Sequence, residues 1–335
     1  MSEQRFARTL IQPPWSGRAL LDVLAERFAY QSRETWFRLI RQGAILVNGR
    51  PSQPAQVLAS GDRVEYTLER LEEPPVRTDY RVLFDDGVVL AIDKPGDLPC
   101  HPAGRFFQNT LWALLRRDLG LTEVHFVNRL DRETSGIVLL ARDPAAARRL
   151  GQPSRRQQMV KDYLVIVEGD LREAIHARGW LTDDTGSALR TKRRFVPGDP
   201  AAATPDGAEP CDTAFTPLRH HAGMTLVQAR LGTGRMHQIR ATLLGLGFPV
   251  VGDKVYGRDE TCYLRFIDKT LTDADRQLLR LERQALHAWR LAFPHPVSDA
   301  LIALESPLPP DLAALVPEPH LTARPSPPGR PSADA

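Results

Sequence analysis

The sequence predicts an α+β protein: a mixed, largely antiparallel sheet with flanking helices, preceded by a smaller α+β unit. Three observations carry that prediction. From Tyr80 onward, short apolar runs bounded by turn signals recur with only a few helical stretches among them, and strand and helix do not alternate regularly. Asp85-Asp86-Gly87 lies between two such runs and marks a hairpin. Residues 16–70 differ, opening with two amphipathic helical patterns and closing in a small hairpin.

In the first unit Leu20, Leu21, Val23, Leu24 and Phe28 fall at helical spacing. Phe37, Leu39 and Ile40 mark a second helix ending at Gly43. A strand follows over Ala44–Val47, then the turn pair Asn48-Gly49, and Gly61-Asp62 opens a strand over Arg63–Leu68. Residues 71–79, charged and carrying a double proline, suit a linker. This organisation puts a small domain at 1–75 and a larger one at 76–316.

In the larger domain, Arg81–Phe84 and Val88–Ile92 form the first hairpin, and Asn109 or Thr110 caps a helix running to Leu119. His125–Val127 and Ile137–Leu140 are short strands around a polar loop, residues 144–157 are helical, and Tyr163–Val167 is an apolar strand. Ala214–Leu218 and Thr225–Ala229 make another hairpin, Met236–Leu246 a helix, and Ala288–Phe293 and Leu301–Leu304 late strands. Residues 198–210, rich in Pro, Ala, Gly and Asp, read as a surface loop. Residues 317–335 lack the apolar content to build a core and are expected to be disordered. No internal repeat is evident.

The bulk numbers exclude more than they assign. A chain of 335 residues, 42% hydrophobic and 25% charged, has an ordinary globular composition. No apolar run approaches the length of a membrane span, and residues 1–15 carry no apolar leader, so a cytoplasmic protein without a membrane partner is expected, as a monomer. Cys100, Cys211 and Cys262 show no paired spacing and read as free thiols. The net charge of +3 does not by itself identify a nucleic-acid partner. Of the 44 basic residues, however, 39 are arginines, clustered at Arg148-Arg149, Arg155-Arg156 and Lys192-Arg193-Arg194. Arginine forks suit phosphate, although a solvated basic surface gives the same composition.

The segment richest in chemistry is Val127-Asn128-Arg129-Leu130-Asp131-Arg132-Glu133-Thr134-Ser135-Gly136, an aspartate flanked by arginines in an inter-strand loop. Neighbouring cations favour an ionised carboxylate, able to act as nucleophile or base. An ordinary surface ion cluster would look similar in isolation.

Over residues 80–316 the chain resembles the RluA-type RNA pseudouridine synthases through several motifs in the family's order. Lys94-Pro95-Gly96-Asp97-Leu98-Pro99-Cys100-His101-Pro102 is similar to the first motif, and Arg129-Leu130-Asp131 with Thr134-Ser135-Gly136 to the catalytic loop. Lys161-Asp162-Tyr163 with Val167-Glu168-Gly169 comes next. The fourth is Thr233-Gly234-Arg235-Met236-His237-Gln238-Ile239-Arg240 with Gly252-Asp253 and Tyr256-Gly257, and Leu286-His287-Ala288 the last. The N-terminal unit resembles the alpha-L type RNA-binding domain of a ribosomal protein through Ser32-Arg33, Ile40–Gly43 and Val47-Asn48-Gly49.

The resemblance implies a pseudouridine-synthase fold that isomerises uridine in structured RNA, with large-subunit ribosomal RNA favoured over transfer RNA, and with no metal or other cofactor. It implies that Asp131 is the catalytic carboxylate, that Arg240 pairs with it, and that Tyr163 lies against the uracil. Arg129 would fill the gap left by a flipped base. Lys161, Arg235, His237 and Gln238 would lie on the substrate side, with Leu130 and Ile239 packing the loop and helix. Arg33 and Arg41 would meet RNA from the first domain. Without the resemblance, Tyr163 reads as core and His101 and His287 as structural.

Three positions depart from the family pattern. Asn128 stands where histidine is usual, Met236 where threonine or serine is common, and Thr242 where histidine is frequent. Asparagine still donates and accepts hydrogen bonds, so activity is expected to persist, with Asn128 acting on loop geometry or RNA preference. Two competing readings are a non-catalytic RNA-binding or ribosome-assembly factor of the same fold and a glycoside hydrolase using Asp131 and Glu133. The second is disfavoured, because no aromatic sugar platform is evident beside the two carboxylates.

Overall fold

Helices as short as those near the N-terminus do not persist alone, so their apolar faces decide the local structure. The computed structural model describes residues 5–28, 31–68, 73–189, 191–199, 204 and 206–317. The chain divides into two units, Met1–Thr78 with Leu98–Val124, and Asp79–Asp97 with His125–Ala335.

The first unit begins with β1 (Arg5–Leu10), followed by α1 (Leu20–Arg27) and α2 (Arg33–Arg41). Next come β2 (Ile45–Val47), β3 (Arg50–Pro51) and β4 (Arg63–Leu68), in a four-stranded sheet of order β1-β4-β2-β3. Leu20, Val23 and Leu24 of α1 and Trp36 and Ile40 of α2 pack on Ile45, Val47, Val64 and Tyr66 of the sheet. Ser32 caps α2 through the Thr35 amide. The Asn48-Gly49 turn has both residues at positive φ, and Asn48 also bonds Asp62 and the Arg63 amide, which closes the hairpin. The same unit holds α3 (Leu111–Leu119), capped by Thr110 and ended by Gly120 in the left-handed region. Glu73, within the stretch read as a linker, accepts from the amides of Phe107, Gln108 and Asn109 at 2.8, 2.9 and 2.8 Å. Residues 71 and 72 of that stretch lie outside the described residues.

The second unit opens with the hairpin of β5 (Arg81–Asp85) and β6 (Val89–Lys94). After it come β7 (His125–Phe126) and β8 (Ser135–Ala141), a fully buried strand. The helical stretch expected over 144–157 is two helices, α4 (Pro144–Leu150) and α5 (Pro153–Gln158), because Pro153 has no amide to continue the first and starts the second. The remaining strands are β9 (Val160–Glu168), β10 (Ile175–Asp183), β11 (Arg193–Pro197), β12 (Glu209–His221) and β13 (Met224–Leu231). Then follow α6 (Gln238–Gly245), α7 (Thr261–Ile267), α8 (Asp273–Leu279), β14 (Leu286–Pro294), β15 (Leu301–Glu305) and α9 (Pro310–Ala313).

These strands form one eleven-stranded sheet of order β11-β10-β12-β13-β9-β14-β8-β6-β5, with β15 on β14 and β7 on β8. All described pairings are antiparallel except β14 with β8. The mixed, largely antiparallel sheet expected from the sequence is therefore present. Ala288 of β14 pairs with Gly136 on one side and Tyr163 on the other, which sets those two residues at one level of the sheet. Val89, Ala91, Ile137, Leu139, Leu291 and Phe293 pack with Ala146 and Leu150 of α4 to cover one face. The three cysteines are free and buried. Among the described residues no helix is long and apolar enough to cross a membrane. The tail expected to be disordered, from residue 318, and part of the 198–210 loop lie outside the described residues.

Candidate active site

The loop between β7 and β8 leaves the sheet centre and returns to it through Gly136. Gly136 has φ +106°, and a Cβ there would meet the Ala288 carbonyl oxygen at 2.2 Å, so only glycine lets β8 approach β14 this closely. Asn128 fixes the other end: its side chain accepts from the Leu139 amide at 2.7 Å and donates to the Ile137 carbonyl at 3.2 Å. The departure from histidine is thus built into the loop's geometry.

Asp131 lies at the turn of this loop, its side chain 35% exposed. Its Oδ2 accepts from Arg240 Nη1 at 2.8 Å and from Gln284 Nε2 at 3.2 Å. Burial would raise the carboxyl's pKa, but Arg240, His237 and the Gln284 hydrogen bond outweigh it and hold it below the ordinary aspartate value. Asp131 is therefore an anion at neutral pH.

Arg240, on α6, is aimed from behind. Asp253, whose side chain is fully buried, accepts from Arg240 Nε at 2.6 Å and Nη2 at 2.8 Å. Asp253 also accepts the amides of Val255 and Tyr256, and Arg240 stacks over the Tyr256 ring at 4.8 Å. Burial opposes the charge on Arg240, but the two carboxylates more than restore it. The result is a buried Asp253–Arg240–Asp131 chain in which one guanidinium bridges a hidden carboxylate and a reachable one. Gly252 permits it: a Cβ there would meet the Arg283 carbonyl oxygen at 2.0 Å.

His237 precedes α6 at φ +57°, with Nδ1 3.0 Å from the Tyr256 hydroxyl and Nε2 3.8 Å from Asp131. Burial and Arg240 push its pKa below the usual histidine value, so it is neutral at pH 7.

Four tethers fix the loop backbone and its flanks. Fully buried Lys94 donates to the carbonyl of Arg132, and Arg283 to that of Glu133. Glu133 takes Lys254 at 2.9 Å and the Gln284 amide at 3.1 Å. Gln284 Nε2 also bonds the Thr134 hydroxyl.

The remaining expected residues fall as follows. Tyr163 is buried in β9, three residues before Ile166, whose amide bonds the Ala285 carbonyl beside Gln284. Arg129 is exposed and has no side-chain hydrogen bond or ion pair among the described residues. Leu130 and Ile239 are buried packing residues. Lys161, depressed by burial and by Arg156, has its ammonium close to Gly234. Arg235 is exposed and bonds the Pro210 carbonyl. Gln238 is a buried brace, accepting from the Thr233 hydroxyl and Arg235 amide and donating to Asp212 and Thr213. Arg33 pairs with Asp22 on the first unit's surface, and Arg41 is exposed there. His287 is structural, bonding Ser135 and the Ser306 carbonyl. Of the arginine clusters, Lys192-Arg193 is neutralised by Glu260, Asp183 and Glu209, and Arg155 by Asp299.

Gln284, Asp253, Lys254 and Lys94 were not identified as site residues from the sequence. Gly252-Asp253 and Lys94 lie in recognised motifs, but the bonds that tie them into the site reach Arg240, 13 residues from Asp253, and Arg132, 38 residues from Lys94, and Gln284 is 153 residues from Asp131.

The chain is similar to known RNA pseudouridine synthases. Residues 88–244 match the family model described as RNA pseudouridylate synthase, and residues 20–64 match the S4 domain. The chain is 30% identical over 76% of its length to a mitochondrial transfer-RNA pseudouridine(32) synthase of Saccharomyces cerevisiae, of which it covers 53%. It spans about half the length of the first such relatives. It is 33% identical over 90% of its length to the ribosomal large subunit pseudouridine synthase D of Xanthomonas campestris pv. campestris, covering 88% of that protein. Among solved structures, Human RNA Pseudouridylate Synthase Domain Containing 4 aligns with TM-score 0.52 at 25% identity, over 69% of this chain and 90% of that one. With near-full-length relatives of this kind, and an S4 domain ahead of the matched catalytic region, the chain belongs to the RluA-type RNA pseudouridine synthase family.

Proposed function

We propose that this protein isomerises uridine to pseudouridine within RNA, with Asp131 as the catalytic carboxylate. In this reaction the C1′–N1 glycosidic bond breaks, the uracil turns, and a C1′–C5 bond forms. The C5 proton leaves and N1 gains one, so the formula is unchanged and no redox partner is required. The observation that carries the reading is the ionised, partly exposed Asp131 held by Arg240, itself anchored by buried Asp253. A preorganised anion of this kind can act at the sugar as its charge develops.

Tyr163 contacts the uracil, and Arg129, exposed and with no side-chain hydrogen bond or ion pair among the described residues, occupies the gap that the flipped nucleotide leaves. Lys161, Arg235 and His237 face the RNA, while Gln238 braces the loop that carries them. In the S4 domain, Arg33 and Arg41 contribute RNA contacts. The preferred substrate is large-subunit ribosomal RNA, because the relatives that this chain covers over 78–92% of their length carry that name, whereas a transfer-RNA pseudouridine(31) synthase is covered over 71%.

The test is Asp131→Asn in purified protein, assayed by release of tritium from RNA labelled at uridine C5. Release should vanish while RNA binding stays within about twofold. Release at the wild-type rate would remove Asp131 from the chemistry.

A further inference from the structure

Beyond the catalytic loop, the chain between Gly257 and Gln284 folds into α7 and α8. Arg265 ties the two helices together through Asp259 and Asp275, and the Thr272–Asp275 capping box fixes the start of α8. Between this pair and the segment after it lies a cleft of about 530 Å³. Its floor is apolar, with Phe266, Leu271, Leu279 and Leu281. Lys269 and Arg276 stand on its rim, both exposed.

Two features set this cleft apart. Most arginines around the active site are neutralised by carboxylates, yet the side chains of Lys269 and Arg276 have no hydrogen bond or ion pair among the described residues. Of the four cations in the lining, Lys254 pairs with Glu133 and Arg280 with Glu168, which leaves Lys269 and Arg276 as the cations offered to a ligand. The cleft also adjoins the catalytic loop directly. Phe266 has the Arg132 guanidinium at 5.3 Å and the Lys254 ammonium at 4.8 Å from its ring centroid, and Lys254 grips Glu133. Arg132 and Glu133 are the two residues that follow Asp131.

We infer that this cleft is a subsite for a nucleotide of the substrate RNA flanking the target uridine, with its phosphate on Lys269 and Arg276. A volume of this size suits one nucleotide, an aromatic and aliphatic floor suits a base or ribose face, and unneutralised cations suit a phosphodiester. The inference rests on the isomerase reading, since the RNA is brought here by the neighbouring site. It gives the appended helices a role in choosing and holding RNA.

The test uses the full chain with Lys269→Ala and Arg276→Ala combined, on transcripts of large-subunit ribosomal RNA. Both residues are exposed, so an unchanged melting curve is the expected check on folding. The slope of log affinity against log salt should become shallower by about 0.7–0.9, as for one lost phosphate contact. KM should rise about tenfold with kcat within about twofold. An unchanged slope and KM would overturn the proposal. So would calorimetry in which inorganic phosphate binds the wild type and not the variant while both RNA parameters stay the same, since the site would then serve a free anion. If the wild type forms no pseudouridine, the isomerase reading fails, and the salt slope still reports on the cleft.

Discussion

Asp253→Asn tests whether the buried half of the ion chain aims the reachable half. The substitution keeps the shape of a fully buried side chain and removes one charge. In the wild type, Asp253 Oδ1 accepts from Arg240 Nη2 and the amides of Val255 and Tyr256, while Oδ2 accepts from Arg240 Nε at 2.6 Å. An asparagine keeping its oxygen on the two amides must turn its NH2 toward Arg240 Nε, so a charge-assisted bond becomes a donor–donor contact. Breaking a buried ion pair outright costs about 3–5 kcal/mol. Arg240 keeps Asp131 at 2.8 Å and its stack on Tyr256, so the expected loss of stability falls below that range, at about 2–3 kcal/mol. With its rear anchor gone, the guanidinium no longer holds Asp131 in one position. Turnover should fall about 10- to 100-fold, or about 1.4–2.7 kcal/mol of barrier, while KM moves less than about threefold. Tritium release measured across a range of RNA concentrations up to saturation separates the two constants, and a denaturant melt gives the stability. Wild-type kcat in a folded variant would refute the positioning role, as would a rate loss no larger than the unfolded fraction.

Other predictions follow from the same geometry. Gly136→Ala places a Cβ 2.2 Å from the Ala288 carbonyl oxygen at φ +106°, and should destabilise by about 2–4 kcal/mol in denaturant melts; a loss under about 0.5 kcal/mol would show that β8 and β14 can separate freely. Asn128→Ala leaves the Leu139 amide and Ile137 carbonyl without their side-chain partner and should cost about 1–2 kcal/mol, while an unchanged melt would mean that neither bond matters. Burial holds His237 and His287 below the usual histidine pKa, so the unfolded chain takes up protons first as the medium acidifies. Their contribution is complete above about pH 6.5 and declines below it, by up to about 1.4 kcal/mol per pH unit for each histidine, so Tm should drop between about pH 7.5 and 5.5. His287→Asn should flatten that drop, and a Tm that rises on acidification would contradict the sign.

The sequence was most legible where one periodicity ruled a segment. The runs at Val89–Lys94 and Ser135–Ala141 are buried strands, and Thr110 caps its helix as expected. Elements that mix polar and apolar residues escaped notice. Ile175–Asp183 interleaves His176, Arg178 and Gly179 with its core residues, and Arg193–Pro197 begins with arginines that suggested a phosphate cluster. Helix α8 carries few apolar residues, although the Thr272–Asp275 spacing of its capping box was readable. The strand Arg5–Leu10 is stabilised by pairing with Arg63–Leu68, a partner far along the chain. The same distinction holds in the site. Asp131, Tyr163 and Arg240 were singled out by ordered motifs, and the fold joins Asp131 to Arg240, whereas Gln284, Asp253 and Lys254 reach the site through contacts that only the fold creates.

The most direct test of the central claim is transcriptome-wide pseudouridine mapping in cells with the gene intact, deleted, and restored as Asp131→Asn. A pseudouridine signal, first of all in large-subunit ribosomal RNA, should disappear on deletion and return with the wild type alone. Identical maps in all three would contradict it and leave an RNA-binding factor of the same fold.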